Sequence, residues 1–299
     1  TFVHWFWRKK WLVLIPIACI LMSWEHMTAF FGYHFLPPEK VEKPLNVVSW
    51  NIGALWSYKE KPDEIQAHQR DFFDFLNKKA LPDILCTQEV GGEFIPAIAQ
   101  ETGLTYFSQV AGKQTAVFSR FPIEKSGEIP FEKTSNSAIW ADVRLENGQV
   151  VRVFCAHLQS DMVSADADRL AENGKLDDKK TWYDIKSILT RVNRGTQKRA
   201  RQARTLADMA ARSPNPVILC GDFNDTPSSF TYHILSKILD DPFRRHGFGL
   251  GTTYRGSIPL LRIDYILASE KFRTVDYRTF SAGLSDHDPV FCQFDILHN

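Results

Sequence analysis

Short apolar runs that end on a polar residue recur along this chain, and they predict most of its elements. Residues 45–50, 84–89, 105–110, 115–119, 138–145, 150–156 and 272–280 read as strands. Asn147-Gly148 between two of them is a hairpin turn signal. Residues 217–220 (Val-Ile-Leu-Cys) are apolar throughout, which predicts a strand buried on both faces. Gly221 then lets the backbone turn, and Asp222 and Asn224, one residue apart, are expected to point the same way. Ile65, Phe72, Phe73 and Leu76 follow a helical period after Lys61-Pro62-Asp63. A second helical stretch spans 178–212, with an expected interruption near Gly195. Many short strands with helices before and between them suggest stacked sheets covered by helices.

The first 44 residues differ in pattern. Residues 11–24 are uncharged and mostly apolar, and their 14 positions fall short of the roughly 20 that cross a bilayer as a straight helix. Arg8, Lys9 and Lys10 flank one end, and Trp5, Trp7, Trp11 and Trp24 suit an interfacial aromatic belt. A membrane helix extended by its flanks, a cleaved signal segment and a buried core helix all fit. Trp24-Glu25-His26 lacks the small residues of a cleavage site, so the expectation is membrane anchoring by residues 1–36. Basic residues on the cytoplasmic side place the rest of the chain outside the cytoplasm. Residues 37–44 carry three prolines among charges and are expected to be a stiff linker, with one domain over 45–299.

Composition adds limits rather than direction. With 44% hydrophobic and 24% charged residues the chain is ordinarily globular. A net charge of +1 gives no global attraction to nucleic acid, so contact with phosphate must be local. Cys86, Cys155, Cys220 and Cys292 sit in apolar runs as small core residues, with no metal or disulfide spacing.

The polar residues at strand ends carry the candidate chemistry: Asn51, Glu89, His157, Asp222 with Asn224, Asp264, and Asp286 with His287. Singly, each has a structural explanation as a turn, a cap or a satisfied core histidine. Asp264 resists it, because a carboxylate inside an apolar strand needs a partner. Together, Ser49-Trp-Asn51, Gln88-Glu89, His157-Leu158, Gly221-Asp-Phe-Asn224, Arg262-Ile-Asp264-Tyr and Ser285-Asp-His287 resemble, in order, the endonuclease/exonuclease/phosphatase superfamily over about residues 45–295. The resemblance implies an α+β fold: a four-layer α-β-β-α sandwich of two packed mixed β-sheets flanked by helices.

It also implies a phosphoester hydrolase that uses Mg²⁺ or Mn²⁺. Glu89 is expected to hold the metal, with Asn51 and Asp286 near it or its waters. Asp222 is expected to activate the attacking water, Asn224 and His287 to donate to the phosphate, Asp264 to steer His287, and His157 to assist the leaving oxygen. Arg120 and Arg262 are candidate substrate cations. Lys186, Arg191, Arg194, Lys198, Arg199, Arg201 and Arg204 lie between Asp184 and Asp208 with no acids. They read either as a solvated helix face or as a patch for phosphate polymer or anionic lipid. The expected partners are a lipid, nucleotide or nucleic-acid phosphoester and a membrane; no obligate protein partner is implied. A silent phosphate-binding module is the competing reading. Selectivity is expected from loops at 52–60, 125–137, 160–178 and 243–260.

Overall fold

In a computed structural model the described residues are 14–35, 37, 39–53, 62–132, 134–160, 179–256 and 260–297. The helices are α1 (Leu14–Met22), α2 (Trp24–Phe30), α3 (Pro62–Phe75), α4 (Ile95–Thr102), α5 (Lys179–Ala211), α6 (Phe230–Ser236) and α7 (Phe243–His246). The strands are β1 (Gly32–Tyr33), β2 (Leu45–Asn51), β3 (Ile84–Gln88), β4 (Tyr106–Gln109), β5 (Thr115–Ser119), β6 (Ile123–Ile129), β7 (Ala138–Arg144), β8 (Val150–His157), β9 (Val217–Asp222), β10 (Phe248–Gly249), β11 (Asp264–Ala268), β12 (Phe272–Thr279) and β13 (Val290–Ile296).

Two mixed sheets form the body. One runs β11-β9-β8-β7-β6 and the other β12-β13-β2-β3-β5-β4. Their facing sides share a core that includes Val47, Cys86, Val117, Ile139, Val153, Cys220, Ile266 and Cys292. The free cysteines among them are packing residues, as their apolar neighbours predicted. Phe72, Leu76 and Ile98 cover the outer face of the six-stranded sheet against Trp50, Leu85 and Phe118. Ala203, Leu206, Tyr232 and Leu235 cover the other sheet against Phe154, Leu219 and Leu267. Each sheet thus has one face on the shared core and one under helices, which is why its central strands are apolar at successive positions.

Several local expectations are corrected. β6 occupies 123–129, where a selectivity loop was expected from 125; its Lys, Ser, Gly and Glu residues read as loop because it is an edge strand, where charge blunts the open ladder. α5 runs unbroken for 33 residues through Gly195. Propensity against a mid-helix glycine, about 1 kcal/mol, is overridden by packing, since Gly195 is buried. The strand at 217 does not stop at Cys220 but continues through Gly221 to Asp222. Gly221 is needed there because its φ is +152° and a Cβ would lie 1.9 Å from the Ala156 carbonyl oxygen.

Among the described residues no helix is long and apolar enough to cross a membrane. α1 contributes nine residues, and residues 1–13 and 36 of the expected anchor lie outside the described ones, as do 54–60, 133, 161–178 and 257–259 of the expected selectivity loops. The chain ahead of residue 37 touches the body. β1 pairs antiparallel with β10, and the Arg262 guanidinium donates to the Ala29 carbonyl at 3.0 Å.

Candidate active site

Strand direction gathers the polar ends on one rim. β2 and β3 are parallel, with Asn51 opposite Gln88 at their carboxyl ends. β8 and β9 are parallel in the facing sheet and end together, His157 opposite Asp222. β11 is antiparallel to β9, so its first residue, Asp264, lies opposite Asp222. β13 is antiparallel to β2, with Val290 opposite Ser49, so the 285–287 segment before it reaches the same rim. Two bonds pin the segment there, Ser285 Oγ donating to the Asn51 carbonyl (2.9 Å) and Trp50 Nε1 to the His287 carbonyl (2.9 Å), and the His287 N–H closes a turn onto Ser285 Oγ (3.2 Å).

Asp222 is the hub. Its Oδ2 accepts from Asn51 Nδ2 at 3.1 Å, and the same amide nitrogen donates to Glu89 Oε1 at 2.9 Å, joining the two sheets across the rim. His157 Nε2 lies 3.7 Å from both Glu89 Oε1 and Asp222 Oδ2. His287 Nε2 lies 3.8 Å from Asp222 Oδ2. Asp222 Oδ1 accepts the Asn224 N–H at 2.8 Å, an Asx turn that places Asn224 at φ +50°. The two side chains therefore depart from the extended alternation that the sequence suggests. The Asn224 amide donates one N–H to the Leu158 carbonyl at 3.1 Å and keeps a second.

Asp264 and His287 form the second half. Nδ1 and Oδ2 are 2.9 Å apart and both residues are buried. Burial lowers the imidazole's pKa, but the charges of Asp264 and Asp222 outweigh it and push it up to about 10. Burial raises Asp264 to about 6, against the lowering effect of His287. At neutral pH the pair is thus ionic, and His287 presents a protonated imidazole to Asp222. Among the described residues Asp264 Oδ1 has no partner in hydrogen-bond geometry, although the neighbouring Thr253 hydroxyl favours the ionised carboxylate.

Glu89 takes φ +58°, and Gly53 leaves room for it, because a Cβ there would lie 2.1 Å from Glu89 Oε2. Thr253 Oγ1 accepts the Ile263 and Asp264 N–H groups (3.0 and 3.1 Å). Tyr254 lies against His287 with ring centroids 4.9 Å apart. None of Gly53, Thr253 and Tyr254 stands out in the sequence. Only their long-range neighbours give them a role.

Asp286 lies in the segment that reaches the rim but is exposed, its carboxylate near Ser285 Oγ (3.2 Å), and is not among the groups of converging ligand atoms. Two candidate cations lie away from the rim. Arg262, a candidate substrate cation, is 2% exposed and bonded to both oxygens of Asp241 (2.6 and 2.7 Å). Its guanidinium lies over Phe243 and Tyr265. It is an interior ion pair, not a substrate contact. Arg120 follows β5 at the end opposite the rim, where Ser119 meets Ile84, and pairs with Asp83 at 3.2 Å. In the cationic helix, Arg199 turns inward to Asp225 (3.0 Å) and to the Gln159 carbonyl (3.0 Å), so that series is not one solvated face.

A sequence model of the Endonuclease/Exonuclease/phosphatase family matches residues 48–287. No individually curated protein matches the chain. Among solved structures, a humanized D. rerio TDP2 is similar at 19% identity and TM-score 0.62, over 84% of this chain and 99% of that one. The human Nocturnin catalytic domain with bound sulfate is similar at 18% and 0.60, over 87% and 97%. A Bacteroides thetaiotaomicron mannosyl-6-phosphatase gives 16% and 0.57, over 84% and 100%. At these identities the structures share the fold.

Proposed function

The chain belongs to the endonuclease/exonuclease/phosphatase family, and we propose that it is a divalent-metal-dependent hydrolase of phosphate esters working at the Glu89–Asp222–His287 rim. One observation carries this reading: a carboxylate from each sheet, bridged by one carboxamide, faces the His287 Nε2 atom 3.8 Å from Asp222 Oδ2. A phosphate group needs such a mixture of donors beside a base.

The residues suit Mg²⁺ or Mn²⁺. One ligand atom each from Glu89, His157 and Asp222 lies within 4.8 Å of the others, and carboxylate oxygens are the ligands hard cations prefer. Glu89 would hold the ion, bordered by Asn51 and Asp222. What such an ion supplies when bound is neutralisation of a phosphate oxygen and of developing negative charge.

The chain's own residues do the rest. Asp222 Oδ2 accepts a proton from the attacking water, its orientation fixed by Asn51 and by the Asn224 N–H on Oδ1. His287 donates from Nε2 to the phosphate while Asp264 holds Nδ1–H, fixing the ring and its charge. The second N–H of Asn224 is available to the same phosphate. His157, facing Glu89 and Asp222, stabilises the leaving oxygen.

The test is hydrolysis of bis-p-nitrophenyl phosphate with Mg²⁺ or Mn²⁺ by the parent chain, Asp222→Ala and His287→Ala. The parent is expected to exceed each variant by about 10²–10⁴-fold, the usual share of a positioned acid or base. Equal rates in all three return the rim to a phosphate-binding role.

A further inference from the structure

The edge of the body that carries the N-terminal segment has a surface no hydrolase rim requires. α1 reads Leu-Ile-Pro-Ile-Ala-Cys-Ile-Leu-Met, with no charge and no buried residue. A helix apolar on every side needs cover all round, which a second copy docking on one face does not give and lipid does. At 1.5 Å per residue it is about 14 Å long, roughly half of the hydrocarbon core of a bilayer. The apolar surface continues onto the body. Trp24 and Phe31 both contact Tyr33 (ring centroids 5.8 and 6.0 Å), and Phe35 contacts Phe248 edge-on at 5.3 Å. Phe35 is 76% exposed and Phe248 67%. Arg245 in α7, three residues before Phe248, is exposed.

This edge is built in, not hung on. β1–β10 pairing, the His34 N–H to the Gly247 carbonyl (3.1 Å) and the Arg262 bond to the Ala29 carbonyl tie the segment to the body. We propose that residues 24–35 and 244–250 form a docking face for an anionic phospholipid bilayer, holding the body against the headgroups with Phe35 and Phe248 among them. Amphipathic and aromatic rings favour that depth, and Arg245 meets the lipid phosphates. Thr253, on the rim, lies five residues after Phe248, at most about 18 Å of chain. The docking does not depend on the hydrolase reading. It fixes how far the rim stands from the headgroups.

The experiment places an environment-sensitive nitrobenzoxadiazole dye at Phe248→Cys in a Cys19→Ser chain. A Ser126→Cys chain is the comparison, labelled on β6 at the far edge of the five-stranded sheet. Phosphatidylcholine vesicles doped with phosphatidylglycerol are then added, with circular dichroism confirming the fold of each variant. Emission is expected to rise and shift to the blue at position 248 and not at 126. Arg245→Gln is expected to weaken partition by about fivefold, the factor of one surface cation. Three results overturn the proposal: no co-flotation with vesicles, co-flotation with position 248 still in water (a loosely tethered body), or a shift at 248 that needs no lipid and grows with protein concentration (a second copy).

Discussion

Two buried aspartates, each facing a cation, lie at opposite extremes of the same fold. Asp241 is closed: both oxygens take Arg262, Oδ2 also takes the Tyr232 hydroxyl at 2.7 Å, and Oδ1 the Phe243 N–H at 3.1 Å. Asp264 is half open: Oδ2 holds His287, Oδ1 has no partner in hydrogen-bond geometry among the described residues, and the far nitrogen of its histidine reaches the rim. Arg262 and Asp264 are two residues apart, yet one locks the interior and the other orients a histidine at the candidate site. The difference lies in the cation. Both carboxylates favour the charge of the cation beside them, but Arg262 spends its guanidinium inside the core, whereas His287 keeps Nε2 directed at the rim.

The strongest way to break this contrast is to remove the base proposed for the rim. Asp222→Asn keeps the size and the Asn224 contact and is expected to lose about 10²–10⁴ in kcat/KM with an unchanged melting profile. Arg262→Met is expected to do the reverse. It strands the Asp241 carboxylate in the core and costs about 3–5 kcal/mol of stability in urea unfolding, while the protein that remains folded keeps its kcat. Adding Asp241→Leu to it recovers much of that loss. If Arg262→Met instead abolishes turnover in fully folded protein, the two aspartates are not separate devices.

The same pair explains what was legible in the sequence. Asn51, Glu89, His157, Asp222, Asp264 and His287 were visible because each closes an apolar run or interrupts one, and strand ends of common direction must meet at one rim. Arg262 and Arg120 were misread because a cation beside a motif looks alike whether its partner is a substrate or an aspartate; Asp241 stands 21 residues away. Gly53 and Thr253 carried no local signal at all. Their roles arise from clearance around Glu89 and from two N–H groups brought by a distant strand. Gly53→Ala sharpens the point: crowding Glu89 Oε2 is expected to weaken Mn²⁺ binding by about tenfold in calorimetry, the effect of disturbing a ligand's support, with stability retained.

The smallest effect is the most specific, because only the open pair titrates in an accessible range. His287 is raised from its ordinary 6.5 to about 10, so its stabilising contribution is complete below 6.5 and fades as pH rises through about 10. Asp264 is raised from 3.8 to about 6. The folded state therefore holds that proton more tightly, and this contribution is complete below 3.8 and gone above about 6. Both groups make the metal-free protein less stable with rising pH, in two separate windows. His287→Gln removes the alkaline window, so urea midpoints of parent and variant are expected to converge as pH rises from 6.5 toward 10. Arg262 stays charged throughout that range, so the penalty of Arg262→Met is expected to be the same at every pH in it. A parallel offset for His287→Gln, with no convergence, would mean that His287 is held neutral and that the open pair is as inert as the closed one.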